Sequence, residues 1–88
     1  MSKFDIGVTV MTPSIKSLMN TRPGFSDFVM QSLTRFINGE WGDLSDDDKA
    51  VNREYPESAM GSYEFGDGKE LWIKRDNDIV TILLPEDY

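Results

Sequence analysis

The densest group of chemically capable side chains is Asp43-Leu-Ser-Asp-Asp-Asp-Lys, whose carboxylates are hard oxygen ligands of the kind a divalent cation takes. An EF-hand loop alternates its acidic ligands, places Gly centrally and ends in a distal Glu; the residues after Asp43 break that order. Helix capping explains the run more simply. Ser45 is suited to accept from free backbone N–H groups, and Asp46, Asp47 and Asp48 then lie at the positive end of a helix dipole. Sixteen carboxylates also supply candidate acid and base pairs of the glycosidase type, but no spacing selects one pair. A domain this small rarely encloses a substrate-sized pocket that shifts a carboxyl pKa. Gly66-Asp-Gly-Lys lacks P-loop spacing and reads as a hairpin turn. With zero Cys and zero His, the chain has no thiolate zinc site, no disulfide, no cysteine nucleophile and no imidazole base or ligand. The expectation is a protein without enzymatic activity, metal or cofactor.

Two tryptophans are the large side chains suited to anchoring a partner. Trp41, between Glu40 and Gly42, either stands exposed beside Glu40 and Asp43 as an interface hot spot or closes a small core from a loop. Trp72 alternates with Leu71 and Ile73, so either Trp72 or the Leu71/Ile73 pair turns outward from a strand.

Charge is unevenly divided around these residues. Positions 1–39 hold four Lys/Arg against two Asp/Glu, whereas positions 40–88 hold five against fourteen, within a formal net charge of −7 and a pI near 4.3. That balance disfavours direct contact with nucleic acid or an anionic membrane and favours a basic protein partner. The acidic residues of the second half would imitate a phosphate backbone and compete for a Lys/Arg groove; simple solubility is the plainer account of the same charge.

Elements that position these residues follow from periodicity. Phe4, Ile6, Val8 and Val10 alternate with Asp5, Gly7, Thr9 and Met11, predicting a strand or extended arm on a core. Thr12-Pro13 opens a short helix to about Asn20, which Pro23 and Gly24 end. From Gly24 to Asn38, Phe25, Phe28, Val29, Leu33, Phe36 and Ile37 fall on one helical face, and Asn38-Gly39 suits a left-handed cap. Glu40 to Leu44 is a loop, Ser45 caps a third helix, and Tyr55-Pro56 ends it. Strands follow at Ala59–Phe65, Glu70–Arg75 and Ile79–Leu84, joined by turns at 66–68 and 76–78. The last, nearly all apolar, suits a central or doubly covered position. The fold class is therefore α+β, with three helices packed on a three-stranded antiparallel meander and the N-terminal segment available as an extra strand. Residues 1–88 form a single domain on this reading. No stretch approaches signal-peptide or membrane-span length, so a cytoplasmic setting is expected.

At Gly39-Glu-Trp-Gly-Asp-Leu-Ser-Asp-Asp-Asp-Lys, Trp72-Ile73 and Val80-Thr-Ile-Leu-Leu-Pro-Glu-Asp-Tyr88, the chain resembles a family of small acidic proteins described only as plasmid-related. The resemblance spans most of the chain and is loose before Gly24. It implies a mobile-element setting of plasmids, conjugative elements and phage-derived islands, and it carries over no catalytic residue. The leading expectation is a non-enzymatic anti-defence inhibitor of anti-CRISPR or anti-restriction type. Its partner would be a basic protein, a nuclease or CRISPR effector component, bound through Glu40, Trp41, Asp43, Asp46, Asp47 and Asp48. The alternative is a structural or regulatory interaction module of a plasmid or conjugative element, monomeric or a small homo-oligomer, that uses an apolar strand edge or the Trp72 face.

Overall fold

The computed structural model describes residues 8–66 and 68–88. Among these, β1 (Val8–Met11) leads into α1 (Pro13–Thr21), α2 (Phe25–Ile37) and α3 (Asp46–Glu54). A short 3-10 turn at Pro56–Ser58 then precedes β2 (Met60–Glu64), β3 (Glu70–Asp76) and β4 (Ile79–Leu83), and a second at Pro85–Asp87 follows. Among the described residues no helix is long and apolar enough to cross a membrane.

The sheet differs from a three-stranded antiparallel meander. Among the described residues it has four strands in the order β1-β4-β3-β2: β2, β3 and β4 form the expected antiparallel series, and β1 adds to β4 in parallel, giving a mixed sheet. The reason lies in β4, whose apolar side chains on both faces suit an interior place; without β1 its free edge would face water. Register then decides which β1 residues meet the core. Met11 pairs with Ile82, which is fully buried, so Met11 packs inward while Val8 and Val10 turn to the opposite face. Val8 is 51% exposed and Val10 41%, the reverse of the side that their alternation suggests. Phe4 and Ile6 lie outside the described residues.

One core joins α1 and α2 to the inner face of this sheet. Ile15 of α1 and Phe25, Val29 and Phe36 of α2 pack against Tyr63, Leu71, Ile73, Val80 and Ile82. The expected α2 stripe is thus the buried one, with Phe28 and Leu33 at its margin and Ser32 also enclosed. Phe25, Phe28 and Phe65 form a ring cluster with centroids 5.0–5.8 Å apart, in tilted and edge-on arrangements that suit the aromatic quadrupole.

The C-terminal 3-10 turn is tied to the start of α1. Thr12 Oγ1 accepts from the Ile15 N–H (3.4 Å) as helix cap and donates its own proton to Asp87 Oδ2 (2.8 Å). Ser14 donates to Asp87 Oδ1 (3.0 Å), and the Leu84 N–H donates to Oδ2 (3.1 Å). These donors, the Thr12 hydroxyl foremost, hold the Asp87 carboxyl below its ordinary pKa. A depressed folded-state pKa gives stability that is present above the unfolded value and lost as pH falls through the folded one. Asp87→Asn should therefore be less stable than wild type at neutral pH. The gap should close as urea midpoints are followed below the ordinary aspartate range; a gap constant across that range would show that the carboxylate charge is irrelevant.

Candidate partner-binding site

The outer edge of β2 sets the geometry of the acidic region. Antiparallel pairing with β3 leaves alternate backbone groups of β2 pointing away from the sheet, and those of Ser62 and Met60 are each met by a specific partner. The Ser62 N–H donates to Trp41 O (3.0 Å) and Ser62 O accepts from the Asp43 N–H (2.8 Å), zipping the 41–43 loop to the strand around Gly42. One residue pair along, the Asn52 carboxamide does the same for Met60, Nδ2 donating to Met60 O (2.7 Å) and Oδ1 accepting from Met60 N–H (3.1 Å). Asn52 is the only buried residue of α3. The helix has little apolar face, so this side-chain ladder is what docks it.

Tyr63 holds the loop from the inner side. Its ring is fully buried and lies back over Gly61, where an added Cβ would meet the phenol oxygen at 2.5 Å. Its hydroxyl donates to Glu40 O (2.7 Å). Burial pushes the phenol pKa well above its ordinary value, against a smaller opposing effect of Arg35, so the hydroxyl remains a donor. The Arg35 guanidinium sits 5.0 Å from the Tyr63 ring centroid and grips Glu40 Oε1 through Nε (2.9 Å) and Nη2 (2.7 Å). That hydrogen-bonded pairing raises the Arg35 pKa further. Gly42, at φ +74°, passes so close to β2 that a Cβ there would overlap the Ser62 carbonyl.

The six residues singled out from the sequence separate in space. Glu40 spends its charge on Arg35, and Trp41 is partly buried against the core, which is the core-closing alternative rather than the exposed hot spot. Ser45 Oγ accepts from the Asp48 N–H (3.2 Å), capping α3 as expected, and leaves Asp46, Asp47 and Asp48 exposed on its first turn. Only Asp43 and Asp48 of the six line a cleft of about 480 Å³ between α3 and the outer sheet face. The opposite wall is made by Glu70 and Trp72, with Ser62 and Met60 between. Trp72 therefore is the outward member of its strand, half-buried, its far side against Tyr88 (centroids 5.8 Å, 69°), while Leu71 and Ile73 enter the core. Ser62 donates to Glu70 Oε1 (3.1 Å) and orients that carboxylate. Among the described residues no Lys or Arg lines the cleft. Among the described residues no group of three or more acidic side chains converges as a metal site would.

Glu70 and Asn52 carry no local signal that would join them to Asp43. Register brings Glu70 beside the cleft, and the one available hint for Asn52 was an Asn within a helix too polar to dock by hydrophobic contact. Comparison with protein-family models, curated proteins and solved structures finds no match.

Two substitutions test this scaffold. Asn52→Asp keeps the acceptor for Met60 N–H but sets an oxygen against Met60 O, and should lower the unfolding free energy by roughly 1–3 kcal/mol in urea titrations. Gly42→Ala combines a strained φ with overlap on a backbone carbonyl, and a loss of about 2–4 kcal/mol is expected from thermal or urea unfolding.

Proposed function

We propose that this chain is a non-enzymatic inhibitor that binds a basic protein surface through the acidic side formed by the first turn of α3 and the adjoining cleft. The reading rests on one observation: Asp43, Asp48 and Glu70 line a concave surface that, among the described residues, has no Lys or Arg in its walls, with Asp46 and Asp47 exposed beside it. Like charges gathered on a surface repel one another, and a basic partner relieves that repulsion while being steered toward it. A basic groove shaped for a phosphate backbone is a surface of this chemistry. The target class is accordingly a nucleic-acid-binding protein, and in the mobile-element setting suggested by the resemblance, a host nuclease or CRISPR effector component.

A second reading has its own support. β1 ends the sheet, no strand among the described residues pairs with its outer edge, and Val8, Val10 and Ile79 are exposed side by side on the outer face. An apolar edge strand is a template for another chain, which suits a structural or regulatory module that self-associates.

The two readings separate in one set of measurements. Charge-mediated inhibition requires that the protein displace DNA or RNA from a purified defence nuclease or CRISPR effector, that raised salt weaken the effect, and that Asp46→Asn/Asp47→Asn/Asp48→Asn reduce it at least about tenfold with helix content unchanged. Equal inhibition by that variant rejects the acidic surface. Concentration-dependent mass in light scattering that Val10→Lys abolishes, with no effect on any nuclease, favours the edge-strand module.

A further inference from the structure

We propose that the cleft between α3 and the outer face of β2 and β3 is a receptor for a single arginine side chain, held between the Trp72 indole and the carboxylates of Asp43, Asp48 and Glu70. The assignment deepens the preceding reading and depends on it only for the existence of a basic partner.

The cleft has a composition that a bare acidic patch lacks. Its volume of about 480 Å³ lies within the range of ligand-binding pockets, and its walls mix carboxylates with Leu44, Val51, Met60 and Trp72. An arginine presents the complementary combination: a methylene stem that covers apolar surface and a cationic head that stacks on an aromatic face. Tryptophan is the strongest aromatic partner for such a cation, and Trp72 has its outer flank steadied by Tyr88. Glu70 is held by the Ser62 hydroxyl at Oε1, leaving lone pairs of its carboxylate to accept from a ligand.

Arginine fits better than lysine for two reasons. Its guanidinium is planar and carries five donors in a fork, so it stacks on an indole while donating to carboxylates from more than one direction. It is also more weakly hydrated than an ammonium and loses less on entering a half-enclosed site. The positive end of the α3 dipole lies at the same mouth, but it amounts to only about half a charge and faces three aspartates in the first turn. An anionic ligand, by contrast, would meet carboxylates on both walls, with no cation in either among the described residues.

The probe is N-acetyl-L-arginine methylamide, titrated into the ¹⁵N-labelled full chain and followed by two-dimensional NMR, with the lysine and norleucine analogues alongside. Saturable shifts centred on the Trp72 indole N–H, the Asn52 carboxamide and the Ser62 amide are expected, with a dissociation constant on the order of millimolar. The lysine analogue should bind about two- to fivefold more weakly, and norleucine should not saturate. Glu70→Gln, which keeps the acceptor for Ser62, should weaken arginine about threefold; Trp72→Leu should weaken it about fivefold. Non-saturating shifts spread equally over Asp76 and Asp78 would overturn the proposal, as would saturable binding indifferent to both substitutions. Saturable binding in the cleft supports it even if no nuclease is inhibited. Loss of the arginine site with inhibition intact removes the site alone and leaves the broader acidic surface standing.

Discussion

Buried or half-buried backbone groups at a strand edge must find partners, and in this molecule the outer edge of β2 is where that requirement organises everything acidic. Met60 and Ser62 present N–H and C=O groups away from β3; Asn52 answers the first pair and the 41–43 loop the second. Neither solution adds a regular fifth strand. Each draws a charged segment against the sheet through neutral contacts, and so holds the carboxylates of the loop and of α3 near Glu70. The hydroxyl of Tyr63 on Glu40 O and the ion pair of Glu40 with Arg35 complete the clamp from the inner side.

The two faces of the sheet consequently do different work. The inner face is covered by α1 and α2 and supplies the apolar burial that makes an 88-residue chain stable without disulfides. Much of the outer face stays open: Trp72 and Tyr88 shield part of it, α3 leans over the β2 end, and Val8, Val10 and Ile79 lie toward β1. A polar, acidic cleft lies at one end and an apolar strip at the other, so the outer face presents two surfaces of different chemistry.

Features governed by residues close in the chain were legible from the sequence. The α2 stripe, the Ser45 cap, the exit of α3 at Tyr55-Pro56 and the interior place of β4 all follow from local spacing and residue type. What escaped depends on pairing between distant segments. The direction of β1 and the inward turn of Met11 are consequences of register with β4, and an alternating pattern of Val8 and Val10 looks the same whichever face it serves. The candidate site divided along the same line. Asp43 and Asp48 were visible as an acidic run, but Glu70 and Trp72 join them only through the β2–β3 register, and Trp41 packs, partly buried, against the core from the loop.

The segment Gly39 to Leu44, the most distinctive stretch of the sequence, is almost wholly committed to the clamp. Glu40 gives its carbonyl to Tyr63 and its carboxylate to Arg35, Trp41 packs on the core and accepts from Ser62, Gly42 makes room for the Ser62 carbonyl, and Asp43 donates its N–H to the same residue. A chain that shares this segment would share a reason for closing the β2 edge, and hence the means of forming the cleft. It would not thereby share a partner. Asp48, Glu70 and Trp72, which line the cleft with Asp43, stand on other elements, so the lining of the cleft can vary while the clamp is kept. The conspicuous motif therefore speaks for the scaffold, and the character of the cleft is set by the first turn of α3 and the outer face of β3.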